Sequence, residues 1–288
     1  MNKKETKEHY LEAINRAIEF IESNYCKKIV LEDIAAYSFL SKFHFHRIFK
    51  SIIGATAKEY LVRLRLEKAA LQLKNSRKEI NQIAYDCGYS SPETFNRAFK
   101  SFFLTTPILF RKYSKKELAK KDIAYSNISF ESLNISQPKI IEKENLNLAY
   151  IRHFGSYEKI DTSFERLLSW ANQNLLLNVV PLTLGIVHDN PDLTEESNLR
   201  FDAGIVVSKE IQPKGEIGFK KVNGGKFATF RYKGPFESFY SVYDYIYNTS
   251  LFEYKWELRD EPILESYISP PPFLGCQELL TDFYLPIL

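Results

Sequence analysis

Along the first third of the chain, apolar residues recur at helical spacing. Tyr10, Ile14, Ala17, Ile18, Ile21 and Tyr25 follow a period close to 3.6, the mark of a helix with one buried face. Short helices are predicted over residues 31–37 and 41–53. Thr56 followed by Glu59 fits a capping box, which opens a long helix fading near Lys74. The pattern restarts with a short helix over 80–86, a break at Gly88, and Ser91-Pro92 as cap and first turn of another helix. Thr106-Pro107 opens a last one in the same way. Residues 112–138 are polar and aperiodic, and the boundary between two domains is drawn there. Beyond it the texture changes. Residues 146–154 read as a strand ending at Gly155, and residues 157–174 as a helix with Ile160, Phe164, Leu167, Leu168 and Ala171 on one face. Strands are predicted over 182–188, 200–208, 219–222 and 227–232, with Asn223-Gly224-Gly225 as a hairpin turn between the last two. A helix over 236–250 carries Phe236, Phe239, Tyr240, Tyr243, Ile246 and Tyr247 on its inner face.

Each region repeats itself. At an offset of 50, Ser41-Lys-Phe-His-Phe-His-Arg-Ile-Phe-Lys-Ser51 lies over Ser91-Pro-Glu-Thr-Phe-Asn-Arg-Ala-Phe-Lys-Ser101, matching Ser, Phe, Arg, Phe, Lys and Ser. Upstream, Ile34-Ala35 answers Ile83-Ala84. Each copy is a short helix, a turn and a longer helix, which is the helix-turn-helix plan present twice. At an offset of 79, Ala149-Tyr-Ile-Arg-His-Phe-Gly-Ser-Tyr-Glu158 lies over Ala228-Thr-Phe-Arg-Tyr-Lys-Gly-Pro-Phe-Glu237. The expected fold class is therefore multidomain: an all-α double helix-turn-helix domain, then an α+β domain of two pseudo-symmetric strand-helix-strand halves with a cleft between them.

Charge sharpens that division. The whole chain is near neutral at +3, yet residues 1–120 hold 23 basic and 13 acidic side chains, a net of +10. The remaining 16 basic and 23 acidic residues leave −7 for residues 121–288. A polyanion is the natural partner of the first part. No apolar run approaches the length of a membrane span, and Cys26, Cys87 and Cys276 are too scattered for a metal or CxxC site. A cytoplasmic address is expected, with no membrane partner and no cofactor.

In the two longer helices of the repeat, Phe45 with Phe49 and Phe95 with Phe99 are i,i+4 pairs that should face the core. Lys42, Phe43, His46, Arg47 and Lys50 then fall on the outer side of the first helix. Glu93, Thr94, Asn96, Arg97 and Lys100 do the same on the second. That face offers base-edge donors and acceptors beside phosphate-binding cations. Joined by the helix that starts near Thr56, two such helices would enter successive major grooves of double-stranded DNA, whose repeat is about 34 Å.

Residues 8–113 resemble the DNA-binding domain of AraC/XylS-family transcription regulators. The resemblance rests on Ile34-Ala35, Phe45-His-Arg47-Ile-Phe49-Lys50, Gly54, Tyr60-Leu61, Arg65 and Ala69, then Ile83-Ala84, Gly88-Tyr89, Phe95-Asn-Arg97-Ala-Phe99-Lys100, Thr106-Pro107 and Arg111. Leu104 departs from the pattern, standing where glycine is usual. Residues 137–288 resemble the GyrI-like effector-binding fold, through Arg152-His-Phe-Gly155-Ser-Tyr157, Asp202-Ala-Gly204, Gly224-Gly225, Gly234-Pro235-Phe236, Glu265-Ser-Tyr267 and Thr281-Asp-Phe-Tyr-Leu-Pro286. The resemblances imply a DNA-binding domain over 1–113, a linker over 114–136 and an effector-binding domain over 137–288, the layout of Rob-like regulators. They further imply promoter DNA, a small-molecule effector and RNA polymerase as partners, activation as the outcome, and multidrug-type recognition. An acidic residue of the Glu265-x-Tyr267 strand is implied in the effector pocket.

A partly buried carboxylate among aromatics is costly unless a cation joins it, so such a pocket favours lipophilic cations. Glu265 and Tyr267 share a strand face by period 2. Tyr157, Trp170, Tyr232, Phe236 and Trp256 complete the expected effector-binding set. His44 and His46 are spaced wrongly for a helical metal pair, and no phosphate loop, GxSxG or HExxH occurs. No metal or catalytic residue is therefore assigned and the chain is read as a non-enzyme. His188, Asp189 and Asp192 read as a turn around Asn190-Pro191. Two alternatives stand beside the regulator: hydrolysis in the second domain through Glu265 with a neighbouring tyrosine, or a protein-interaction module without a ligand.

Overall fold

The structure is a computed structural model that describes residues 3–114, 133–174, 182–248, 250, 253–268 and 278–288. It divides into two compact units, Met1–Glu117 with Pro213–Glu216, and Leu118–Gln212 with Ile217–Leu288. Of the linker expected over 114–136, residues 115–132 lie outside the described residues, while Ile135 bridges to Tyr232 and is buried in the core of the second unit. Among those described, no helix is long and apolar enough to cross a membrane.

The first unit contains the helices α1 Lys3–Asn24, α2 Leu31–Tyr37, α3 Lys42–Ile53, α4 Ala57–Asn75, α5 Ile80–Asp86 and α6 Pro92–Phe103. A further helical run covers residues 107–114. The predicted capping box is present at α4, where Glu59 N–H donates to Thr56 Oγ1 and Thr56 N–H donates to Glu59 Oε2 at 2.7 Å. Phe45, Phe49, Tyr60 and Leu64 join Ile14, Ile18, Ile21 and Tyr25 in one apolar core. Phe95 and Phe99 are fully buried as well.

The two helix-turn-helix copies turn alike. After α2, Phe39 N–H donates to Ala36 O and Leu40 N–H to Ala35 O; after α5, Gly88 N–H donates to Tyr85 O and Tyr89 N–H to Ala84 O. This is the Schellman pattern, whose pivot must be left-handed. Phe39 supplies it in the first copy at φ 57° and Gly88 in the second at φ 79°. The longer helices also end alike, on Gly54 at φ 79° and Leu104 at φ 57°. Leucine at 104 therefore leaves the turn intact, and at 88% exposure its side chain meets no obstacle.

The second unit is one eight-stranded antiparallel sheet with two helices on one face. Its strands are β1 Lys139–Lys143, β2 Leu146–Phe154, β3 Thr183–Val187, β4 Arg200–Val206, β5 Ile217–Val222, β6 Gly225–Gly234, β7 Ile263–Tyr267 and β8 Leu279–Pro286. The helices are α7 Asp161–Gln173 and α8 Phe239–Asn248, each preceded by a short 3-10 turn. The order β1-β6-β8-β7-β3-β4-β2-β5 reads as two four-strand halves joined between β7 and β3. The repeat is thus realised as a single continuous sheet whose halves share a hydrogen-bonded strand pair.

One expectation fails. Asn223-Gly224-Gly225 does not close a hairpin, because β5 pairs with β2 at one end of the sheet and β6 pairs with β1 and β8 near the other. Only two residues separate β1 from β2, which also lie near opposite ends, so the sheet is curled until the two short connections meet. Gly224 N–H donates to Asn145 Oδ1 at 2.8 Å, and a Cβ at Gly224 would sit 2.2 Å from the Lys143 carbonyl oxygen. Glycine is required there by crowding, not by hairpin geometry.

Candidate functional site

In the first unit the longer helix of each copy presents the same section. Positions 45 and 49 of α3 are buried, as are 95 and 99 of α6, with ring centroids 5.3 and 5.4 Å apart within each pair. Lys42, Phe43, His46, Arg47 and Lys50 are exposed, as are Glu93, Thr94, Asn96, Arg97 and Lys100. All ten expected residues therefore lie on solvent-facing sides, five on each helix. They are not equally available. Lys42 is ion-paired with Glu32 of α2, and the Thr94 hydroxyl lies 3.2 Å from Ser91 Oγ, which also caps α6. Phe43 is 83% exposed, an unusual state for a phenylalanine that nothing in its own unit covers. The arrangement offers two parallel sets of cations, each next to side chains able to touch base edges.

In the second unit Glu265 and Tyr267 are both buried on β7, on the face covered by α7 and α8. The Tyr267 hydroxyl donates to Glu265 Oε2, and the Tyr243 hydroxyl, from α8, donates to Oε1 at 2.6 Å. No guanidinium or ammonium reaches the carboxyl among the described residues. Burial pushes Glu265 up to about 7, and the two donated hydrogen bonds only partly oppose this. The same burial, with Glu265 beside them, raises both tyrosine hydroxyls well above their ordinary range. Around this trio stand Phe283, 5.3 Å from Tyr243, and Phe164, 5.6 Å from Tyr267, both edge-on. The result is a neutral-tending acid in an aromatic cage, suited to giving up its proton when a cation arrives.

Room for the carboxyl comes from the strand opposite. Gly185 of β3 is the register partner of Glu265, and a Cβ there would lie 2.5 Å from the Phe201 ring and 3.0 Å from Glu265 Oε2. Neither Gly185 nor Tyr243 stands out by motif. Tyr243 was legible only as one of several aromatics on the inner face of its helix.

Of the other expected effector residues, Tyr157, Tyr232, Phe236 and Trp256 share the core cluster of Tyr267, and Trp170 does not. Tyr157 packs 6.0 Å from Phe201 with its hydroxyl donating to the Asp189 and Arg200 carbonyls. Phe236 and Tyr232 pack on Phe239 at the start of α8, and Trp256 stacks 4.6 Å from Tyr254. Trp170 packs in a separate cluster with Ile151, Leu167 and Ile217.

A second buried cluster occupies the opposite sheet face, and it joins Arg152 and Asp202, which head two of the segments that carry the GyrI-like resemblance. Asp202 Oδ1 accepts from Arg152 Nε at 2.6 Å, while Oδ2 accepts from Lys220 Nζ at 2.6 Å and lies 2.8 Å from His188 Nε2. Burial would raise this carboxyl, but the surrounding Arg152, Lys220 and His188 outweigh it and hold it well below the carboxylate range. Its repeat counterpart is Arg231 with Asp282, paired at 2.7 Å, with the aspartate buried but the guanidinium exposed. In the loop between, Asp189 is buried against Arg200, so the predicted turn is anchored by an ion pair as well as by local bonds. Among the described residues no His, Cys, Asp and Glu group is placed to hold a metal ion.

Comparison with known proteins follows the same division. Residues 136–288, more than half the chain, match the family described as the GyrI-like small molecule binding domain, and residues 34–113 match a helix-turn-helix domain family. The HTH-type transcriptional regulator YbfP of Bacillus subtilis is 36% identical over 112 residues, 39% of this chain and 38% of that protein. The HTH-type transcriptional activator AarP of Providencia stuartii is 32% identical over 98 residues, 34% of this chain and 73% of that protein. The chain thus spans well under half the length of YbfP. A solved AraC-type DNA-binding domain from Chromobacterium violaceum is 30% identical, with a TM-score of 0.34, over 35% of this chain and 91% of that one.

Proposed function

Because this chain belongs to the AraC-type helix-turn-helix regulators that carry a GyrI-like small-molecule-binding domain, we propose that it is a sequence-specific transcription regulator governed by a small effector. The first unit binds promoter DNA through α3 and α6, with Lys42, Phe43, His46, Arg47 and Lys50 on one and Glu93, Thr94, Asn96, Arg97 and Lys100 on the other. The second unit binds a small lipophilic cation beside Glu265. RNA polymerase is the partner through which binding raises transcription, in keeping with the activator AarP. The observation that carries the reading is the shared burial register of α3 and α6, which presents Arg47 and Arg97 identically fifty residues apart. A gel shift with DNA flanking its own gene tests it. Arg47→Ala and Arg97→Ala each weaken binding by about 1–3 kcal/mol if both read bases. No loss in either variant removes the two-helix reading.

For the effector, Glu265 anchors the site with Tyr267 and Tyr243, and Tyr157, Tyr232, Phe236 and Trp256 extend the aromatic wall; Trp170 supports it from its own cluster. Thermal stabilisation by cationic dyes that disappears in Glu265→Gln supports the pocket. One observation favours a second reading: a carboxyl at about 7 within hydrogen-bond reach of two hydroxyls also suits general acid–base chemistry. Turnover of a bound lipophilic electrophile, abolished by Glu265→Gln, would establish that hydrolase.

A further inference from the structure

The turn between α5 and α6 differs from its twin in one respect that conformation does not explain. Phe39 and Leu104 show that this chain accepts ordinary side chains in left-handed turns when they point to solvent, at 77% and 88% exposure. Gly88 has the same backbone state, yet a Cβ on it would lie 2.8 Å from each of the Tyr25 and Cys26 carbonyl oxygens and 2.9 Å from Arg65 Nη2. Glycine is thus needed at 88 for close approach, and what approaches is the end of α1 together with the middle of α4.

Arg65 organises that meeting. From α4 its Nε donates to Tyr25 O at 2.7 Å and its Nη2 to Lys27 O at 2.7 Å, holding the chain just past the end of α1. Tyr25 is buried in the core that contains Phe45 and Phe49 of α3. On the other side, Tyr89 follows Gly88 and sits 5.3 Å from Phe95 of α6, edge to face. A continuous path of contacts therefore runs from α3 through Tyr25 and the Arg65 guanidinium to Gly88, Tyr89 and α6. Arg111 provides an internal control. It makes the same two-carbonyl clamp one repeat later, on Leu73 O and Lys78 O, but among the described residues no further helix-turn-helix copy follows for it to join.

We infer that Arg65 and Gly88 are positioning residues that set the angle and distance between α3 and α6, and so determine the spacing of the two DNA half-sites. This rests on the DNA-binding reading above. Each added base pair turns a half-site by about 35° and moves it about 3.4 Å. A stiff joint therefore prefers one spacing sharply, and a loose joint gives up effective concentration at that spacing while blurring the preference.

The test uses the full chain to select binding sites from a random-sequence duplex library. The selected site is then remade with base pairs inserted or deleted between its halves, and as each half alone. On the preferred spacing Arg65→Ala and Gly88→Ala lose about tenfold to a hundredfold in affinity, while isolated half-sites are bound within about twofold of wild type. Arg111→Ala shifts all spacings equally and keeps the wild-type preference. Arg65→Lys retains the charge but not the two-pronged clamp, and flattens the spacing profile as well; it carries the test should Arg65→Ala fail to fold, as judged by circular dichroism. Folded Arg65→Lys and Gly88→Ala variants with the wild-type spacing profile overturn the inference. A wild-type chain that selects no site overturns the DNA-binding reading instead, so the two failures are distinguished by the wild-type result alone.

Discussion

Replacing Glu265 by Gln should abolish one component of the pH dependence of the second unit. The carboxyl sits at about 7 in the folded protein against an ordinary 4.5, because it is buried without a cation. A raised carboxyl stabilises the fold fully below about 4.5, where both states hold the proton. As pH rises from there toward about 7 the unfolded chain releases its proton and the folded one does not, so stability falls; above about 7 the loss is complete. At about 1.4 kcal/mol per pH unit, that gap caps the effect at about 3 kcal/mol, of which 2 to 3 kcal/mol develops between about pH 5 and about pH 8. Glutamine mimics the protonated acid and cannot titrate, so the stability difference between variant and wild type should shift in favour of glutamine by that amount across the interval. The chain has two tryptophans, Trp170 and Trp256, both in the second unit, so their fluorescence in a urea titration follows that unit alone. A difference between the two proteins that stays constant across the pH range would refute the account of Glu265 as a buried, uncompensated acid.

Two further perturbations probe features outside that site. Leu104→Gly should raise the thermal stability of the first unit by about 0.5–1 kcal/mol, since it relieves a left-handed leucine whose 88% exposed side chain contributes no packing; a lowered melting temperature by far-UV circular dichroism would contradict this. Asp202→Asn should cost about 3–5 kcal/mol in the same tryptophan-monitored titration, because Arg152, Lys220 and His188 would lose their buried counter-charge. The wild-type contribution of Asp202 is present above its ordinary 3.8 and is lost only as pH falls through its depressed folded value.

The helical unit was almost wholly legible because each of its signals is local. Phe45 and Phe49, or Phe95 and Phe99, announce a buried face by spacing alone, and Thr56 with Glu59 announces a helix start. The sheet was less so. β1, Lys-Ile-Ile-Glu-Lys, is a mostly exposed edge strand, and β8 is buried on nearly every residue, so neither shows a clean period of two. Asn223-Gly224-Gly225 has the composition of a turn, but turn chemistry carries no information about which distant strands then pair. The same limit applies at Glu265. Strand period put Tyr267 on its side, whereas Tyr243 reaches it only because α8 lies across β7, a tertiary fact. Trp170 and Trp256 look alike as pocket candidates in sequence and pack in different places for the same reason.

The register of the central strand pair has an evolutionary consequence. By strand register Gly185 pairs with Ala203 as Glu265 pairs with Phe283, so the two are equivalent positions of the halves, and they face each other across β3 and β7. A homodimer of identical half-length ancestors would have to place the same residue on both sides of that axis. Two glutamates would set like charges against each other, and two glycines would leave the cage without an acid. In a single chain that symmetry constraint is absent, and the axis holds one carboxyl beside the space that glycine leaves for it.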